Sequence, residues 1–267
     1  MRTPEHVQRT RPSLEDDGSG PVAVVTGGGS GIGRQVAIRL VADGVRVVVA
    51  DRNGDGAEAV AGEIVASGGR AVPVRADVTS AEDTLAMVAA AEEAFGRLDI
   101  LSCNAGVAGT PTPFTQLTED EFDRTFAVNV KGVWLSVTAA APALRRAGGG
   151  SVVIVGSVMG ERARPGFAAY ASSKAAVNHL ARTLALELAP DRIRVNALAP
   201  VATNTPMLAR FLGSDDPDAA RERFIAGIPL GRLAEPSDVA EATAFLASDA
   251  AAFITGVVLP VDGGRSV

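Results

Sequence analysis

A doubly wound α/β fold, with a parallel sheet of about seven strands and helices on both faces, is what this sequence predicts. Two observations carry the prediction. Short runs of Val, Ile, Leu and Ala recur along the chain, near-continuous rather than alternating, as strands buried on both sides must be. Between them lie longer segments with apolar residues at helical spacing, ending near glycines. Such alternation makes βαβ units, whose crossover connections place successive strands parallel.

The first run, 22-VAVVT-26, leads into the helical segment 31-GIGRQVAIRLVADG-44. Next come 45-VRVVVAD-51 and 71-AVPVRAD-77, and then the helical 80-SAEDTLAMVAAAEEAFG-96. Four further runs complete the sheet: 98-LDILSCN-104, 151-SVVIVGS-157, 193-IRVNALAP-200 and 257-VVLPVD-262. The glycines of 147-AGGGS-151 mark a helix-to-strand joint, and no internal repeat or linker interrupts 21–267, so one domain is expected there. Residues 201–229 break the alternation and are expected to form a substrate lid. Residues 1–20, "MRTPEHVQRTRPSLEDDGSG", are expected to be a disordered polar extension. Their acids and lack of an apolar stretch argue against a secretory signal or transit peptide.

Composition removes several functions. With 267 residues, 47% hydrophobic, the chain is long enough for one well-buried core. A net charge of −6 and 4% aromatics speak against nucleic-acid binding, which needs clustered cations and stacking platforms. Only His6 and His179 are histidines, and Cys103 is the single cysteine, so no metal site is expected. The lone cysteine also excludes an internal disulfide and fits a reducing, cytoplasmic setting. The apolar runs are far shorter than the about 20 residues that cross a bilayer, so no membrane partner is expected.

Five glycines fall within 26-TGGGSGIG-33, directly after the first strand and opening the first helix. A bare backbone at a helix N-terminus offers N–H groups and the positive end of the helix dipole to a pyrophosphate. The spacing Gly27-x-x-x-Gly31-x-Gly33 differs from G-x-G-x-x-G, because Val36 stands at the third place. The fold is therefore read as Rossmann-like, with a variant of the phosphate-binding turn. Asp51 closes the second strand where a carboxylate can hold a ribose 2′-hydroxyl. Beside a 2′-phosphate it would repel, by up to about 4 kcal/mol per charge pair at 4 Å and moderate dielectric. NAD is thus expected over NADP, with Arg52 a solvated loop charge or a phosphate contact, and Ser30 in the loop carrying no charge.

The chain holds one tyrosine and two lysines against 23 arginines. Tyr170 lies four residues before one of those lysines, in 170-YASSK-174, so both share a helix face. A phenol with pKa near 10 needs roughly 4 kcal/mol of help to be a base at neutrality. A nearby ammonium, together with an oxidised nicotinamide, pushes that way. His179, half a turn out of phase, is read as structural.

Taken together, these residues resemble the short-chain dehydrogenase/reductase family in its compact single-domain branch, over about residues 21–264. Gly27, Ser30, Gly31, Ile32 and Gly33 resemble its cofactor loop, Asp77-Val78 its adenine contact, and Asn104-Ala105-Gly106 its turn beside the cofactor. Asn129 in 129-NVKG-132 matches the asparagine of a proton relay, and Ser157 the serine that binds the reacting oxygen. Pro200, Thr203 and Thr205 correspond to the segment that holds the nicotinamide carboxamide. Three positions depart from the family pattern: Cys103 and Gly156, where an asparagine and a second serine are common, and Val201 in place of glycine.

The resemblance implies hydride transfer between a carbinol carbon and NAD. In it Tyr170 is the general acid/base, Ser157 orients the oxygen, Lys174 acidifies Tyr170 and binds ribose, and Asn129 fixes a water. It also implies a homotetramer or dimer through helices near 119–146 and 168–189. Met207, Leu208, Phe211 and Leu212 in the lid, with Met159 and Phe167, suggest an apolar cyclic or lipid-like substrate beside Ser157. An NADPH-dependent reductase of 3-oxoacyl thioesters is the alternative, and a non-catalytic NAD-binding protein a third reading.

Overall fold

In the computed structural model, residues 20–212 and 216–267 are described. The polar extension expected over 1–20 therefore lies, up to residue 19, outside the described residues.

Each apolar run forms one strand: β1 (Val22–Thr26), β2 (Arg46–Asp51), β3 (Ala71–Arg75), β4 (Ile100–Cys103), β5 (Gly150–Val155), β6 (Ile193–Pro200) and β7 (Val258–Val261). They build one sheet in the order β3-β2-β1-β4-β5-β6-β7, with every pairing parallel. Register sets Val24 level with Val48 of β2 and Leu101 of β4. The chain winds outward from β1 to β3, then returns to place β4 on the other side of β1. That reversal opens a crevice at the carboxyl ends of β1 and β4.

Alternation along β1 distributes its side chains between two cores. Val22 and Val24 pack with Met87, Val88 and Ala91 of α3 (Ala81–Phe95), Val137 and Leu144 of α5 (Gly132–Arg146), and Val177 and Ala181 of α6 (Ala168–Leu188). Ala23 and Val25 face the opposite way, onto Val36 and Leu40 of α1 (Gly31–Val41), Val60 and Ile64 of α2 (Gly54–Ala66), and Ala240 and Ala244 of α9 (Pro236–Ala247). Both faces are thus covered, which is why the strands read as unbroken apolar runs.

Local chemistry fixes the helix ends. Ser80 caps α3 by accepting from the Asp83 N–H, and Gly96 ends it in the left-handed region at φ 80°. Thr118 and Glu121 form a reciprocal capping box at the start of α4 (Glu119–Phe126). A π turn over Ala127–Lys131 joins α4 to α5, so 119–146 is one long helix. Its length and hydropathy match a membrane span, but its apolar positions form the core beside α3 and α6.

The segment expected as a lid, residues 201–229, is short-helical in its described part. It holds two short helices, α7 (Leu208–Leu212) and α8 (Pro217–Ala226), and a single bridge from Thr203 to Ala234.

At the β1–α1 junction, a methyl on Gly33 would lie 2.1 Å from the Gly27 carbonyl oxygen. Gly33→Ala must therefore push α1 off β1. We expect a loss of about 1–3 kcal/mol, seen as a lower melting temperature in thermal unfolding; an unchanged melt would refute this contact.

Candidate active site

The glycine loop bends because two of its residues occupy the left-handed region, Gly27 at φ 64° and Gly31 at φ 52°. α1 starts at Gly31 with no side chain capping it, so the N–H groups of its first turn face the crevice. Ser30, Ile32 and Gly33 line the same wall. Asp51, at the end of β2, ties the loop down: Oδ2 accepts from Gly29 N–H at 2.9 Å and Oδ1 from Asn53 N–H at 2.8 Å. Its carboxylate still borders the crevice, with Arg52, Asp77 and Val78 alongside. The Thr79 N–H and hydroxyl hold Asp77 below the usual carboxylate range, and the nearby Arg52 charge adds to this. Arg52 thus acts on Asp77.

Asn104, Ala105 and Gly106 form the opposite wall. Thr26, inside the glycine motif, does not face the crevice. Its hydroxyl accepts from the Asn104 and Ala105 N–H groups at 3.1 and 3.2 Å, stapling this turn to β1. The Asn104 amide donates to Ser102, while its buried Oδ1 has no protein donor. Gly106 faces Asn129 and Lys174, where a Cβ would lie 3.3 Å from Asn129 Oδ1 and 3.7 Å from Lys174 Nζ.

Asn129 sits in the π turn, 1% exposed, and such turns mark functional positions in helices. Its Oδ1 accepts from Val107 N–H at 2.8 Å, and its Nδ2 donates to Val107 O and Ser173 Oγ, both at 3.0 Å. With the amide engaged at both ends, the side chain buttresses the 104–107 turn.

Ser157, Tyr170 and Lys174 converge at the ends of β5 and α6. Ser157 follows β5, where its hydroxyl accepts from Met159 N–H at 3.1 Å and favours the ionised form of Tyr170. The Lys174 ammonium donates to Val155 O at 2.8 Å and lies 5.7 Å from the centre of the Tyr170 ring. Burial dominates both groups. It pushes Tyr170 up to about 12, against a downward pull from Ser157, and Lys174 down to about 8. The expected acidification of Tyr170 by Lys174 is therefore not present in the protein alone.

Beyond this group opens a cavity of about 550 Å³. Ser157, Met159, Tyr170, Met207 and Phe211 line it, and Pro200, Thr203 and Thr205 border it. Phe167 does not line it; buried, it stacks against Phe211 at 5.4 Å, and Tyr170 meets the same ring edge-on at 5.2 Å. Thr205 packs over Gly31, joining the lid to the glycine loop. The sequence reading missed Arg164, Arg223 and Arg265, which also line the cavity, because three separate segments bring them there.

These features fit a dinucleotide: an uncapped helix N-terminus after a turn bare of side chains, the Asp51 carboxylate on the crevice at the end of β2, and an unpartnered buried Asn104 Oδ1. Among the described residues no His/Cys/Asp/Glu cluster suits a metal.

Residues 27–266 match the protein family described as enoyl-(acyl carrier protein) reductase. The chain is 48% identical over 246 residues to 4-formylbenzenesulfonate dehydrogenase TsaC1/TsaC2 of Comamonas testosteroni, covering 92% of this chain and 98% of that protein. It is 40% identical to 2,5-dichloro-2,5-cyclohexadiene-1,4-diol dehydrogenase LinX of Sphingobium indicum, over 93% of this chain and 97% of that one. A solved 3-ketoacyl-(acyl-carrier-protein) reductase from Brucella melitensis, complexed with NADH, is 43% identical and superposes with a TM-score of 0.86, over 93% of this chain and 99% of that one.

The three unusual residues have structural reasons. Cys103 is buried, and burial lifts its thiol to about 12, which makes it an inert core residue. Val201 packs with Val158, Leu208 and Ile228 under the lid. Gly156 makes room for Asn178 of α6: a Cβ there would fall 2.0 Å from Asn178 Oδ1 and 2.9 Å from Leu198 O. Gly156→Ser should cost about 1–3 kcal/mol and displace Ser157. Thermal unfolding of the single and double variants checks this: Asn178→Ala should couple to it favourably, by about 0.5–3 kcal/mol, and strict additivity would count against the pairing.

Proposed function

The chain belongs to the short-chain dehydrogenase/reductase family, and from that premise we propose that it interconverts a secondary alcohol and a ketone with NAD. The substrate is a largely apolar cyclic or lipid-like compound, and Tyr170 is the general acid/base. One observation carries this reading. The only tyrosine of the chain, beside Ser157 and sharing a helix face with Lys174, opens onto an apolar-walled cavity that adjoins the dinucleotide crevice. A cyclic substrate accords with the names of the two curated relatives.

Gly27, Ser30, Gly31, Ile32 and Gly33 would hold the pyrophosphate, Asp51 and Arg52 the adenosine ribose, and Asp77 and Val78 the adenine. Asn104, Ala105, Gly106, Tyr170 and Lys174 would hold the nicotinamide ribose, and Pro200, Thr203 and Thr205 the carboxamide. NAD supplies a hydride acceptor and, when oxidised, a positive ring charge. Ser157 orients the substrate oxygen, and Tyr170 Oη exchanges a proton with it. With Tyr170 near 12, reaching phenolate at neutrality takes about 7 kcal/mol. The protein by itself therefore presents a proton donor, as ketone reduction requires. Asn129 keeps the 104–107 turn beside Lys174 and would fix a water that passes the proton outward.

A 3-oxoacyl thioester reductase using NADPH is the second reading, favoured by the name of the solved relative. Asp51 opposes it, since its fixed carboxylate would face the 2′-phosphate. A non-catalytic NAD-binding role would leave the buried Ser157, Tyr170 and Lys174 without a purpose. The exposed Trp134 and half-buried Leu180 and Leu184 on α5 and α6 accord with a homotetramer, or a homodimer, in the cytoplasm.

Tyr170→Phe should lose at least a hundredfold in turnover of cyclic alcohols while its melting temperature holds; unchanged turnover would refute the assignment. In wild type, kcat/KM should favour NAD over NADP by at least about tenfold, and the reverse order would favour the thioester reading. Oxidation needs the phenolate and reduction the phenol. The oxidation rate should therefore rise with pH until Lys174 loses its proton near 8, while reduction should not rise. Size-exclusion chromatography should give a tetramer or dimer, and a monomer would refute that part.

A further inference from the structure

The wall of the substrate cavity away from Tyr170 carries three arginines from three parts of the chain: Arg164 before α6, Arg223 on α8 and Arg265 after β7. Their placement is built. The Arg164 guanidinium lies 4.1 Å from the centre of the Phe224 ring and 5.4 Å from that of Phe167, so two aromatic faces hold it at the cavity edge. Gly227, lacking a side chain, leaves room for the Arg265 guanidinium, whose Cζ would be 3.2 Å from a Cβ there. Arg162, also on this wall, donates to the Arg265 carbonyl oxygen.

Several arginines elsewhere in the chain pair with carboxylates. Arg34 meets Glu63, Arg97 meets Asp99, Arg145 meets Asp191 and Arg146 meets Glu92, each at 2.6 Å. Among the described residues, no carboxylate within ion-pair distance serves Arg164, Arg223 or Arg265. Asp262, the acid just before Arg265, is spent on its own turn, accepting from Gly264 N–H at 3.0 Å and Ser266 N–H at 2.7 Å. Burial and the charges of Arg223 and Arg265 hold Arg164 below its ordinary value, the mark of like charges gathered without a counter-ion.

We propose that this arginine wall binds an oxyanion substituent, a carboxylate or sulfonate, carried by the substrate on the far side of its ring from the carbinol carbon. The inference rests on the reading of this cavity as the substrate site. Planar guanidinium forks suit such a group, and its charge relieves their mutual repulsion. The apolar middle of the cavity, with Met159, Met207 and Phe211, takes the ring. Selectivity for acids over neutral analogues then follows from the arginines, and the aromatic wall sets only the size.

The test compares 4-acetylbenzoate with its neutral isostere 4-acetylbenzamide, for NADH-dependent reduction and for binding by calorimetry to the full chain. We expect the acid to bind and react about tenfold to a hundredfold better, through KM more than kcat, as charge-assisted hydrogen bonds provide. Arg164→Gln and Arg223→Gln should each erase much of that preference and leave the amide unchanged, so the amide also reports an intact fold. Equal affinity for the two compounds, including no binding of either, would overturn the proposal, as would variants that weaken both alike. An acetoacetyl-coenzyme A arm separates phosphate sources: variants that impair it and spare 4-acetylbenzoate would also overturn it. If the acid binds selectively and neither compound is reduced, the anion site stands and the alcohol–ketone reading fails.

Discussion

Helices cover both faces of the sheet, so a polar side chain can first meet a ligand just past the carboxyl end of a strand. The functional layout follows from that constraint. Asp51 ends β2, Asp77 follows β3, Asn104 follows β4, Ser157 follows β5, and Pro200 ends β6. The residues at these strand ends line the crevice and the cavity. The crevice between β1 and β4 collects the residues of the early strands, and the cavity beside β5 and β6 collects those of the later ones.

The same covering sets the electrostatics. Lys174 and Tyr170 project from α6 into a region 6% and 8% exposed, where water cannot stabilise either charge. Both groups are therefore held toward their neutral forms. The ammonium retains one strong acceptor, Val155 O at the end of β5, which fixes it against the strand rather than against the phenol. A site of this kind responds steeply to a charge brought into it, since little solvent screens it.

All seven strands were legible because a doubly covered strand has a composition nothing else in the chain shares, and the Tyr170–Lys174 pair because lysine and tyrosine are so rare here. Contacts between distant segments were not legible. Nothing local tells that Thr26 staples the turn at Asn104, or that the Asn129 amide closes on Val107 across 22 residues. Phe167 looked like a cavity residue from its hydrophobicity, yet the turn before α6 tucks it behind Phe211. The arginines were hidden by number: among 23, nothing in the sequence marks the three that separate segments bring to the cavity.

Gly156 and Asn178 show how a departure from a family pattern can be neutral to the chemistry. Asn178 is 2% exposed and occupies the space that a side chain at position 156 would need. It also lies against Gly160, where a Cβ would be 2.7 Å from its Nδ2. The two glycines thus bracket one buried amide, and the backbone between them carries Ser157 and Met159. The asparagine reaches across from α6, the helix that bears Tyr170 and Lys174, and fills the space beside the backbone that carries Ser157. The reacting serine and its partners are consequently referenced to one rigid element, which is what hydride and proton transfer at fixed distances demand.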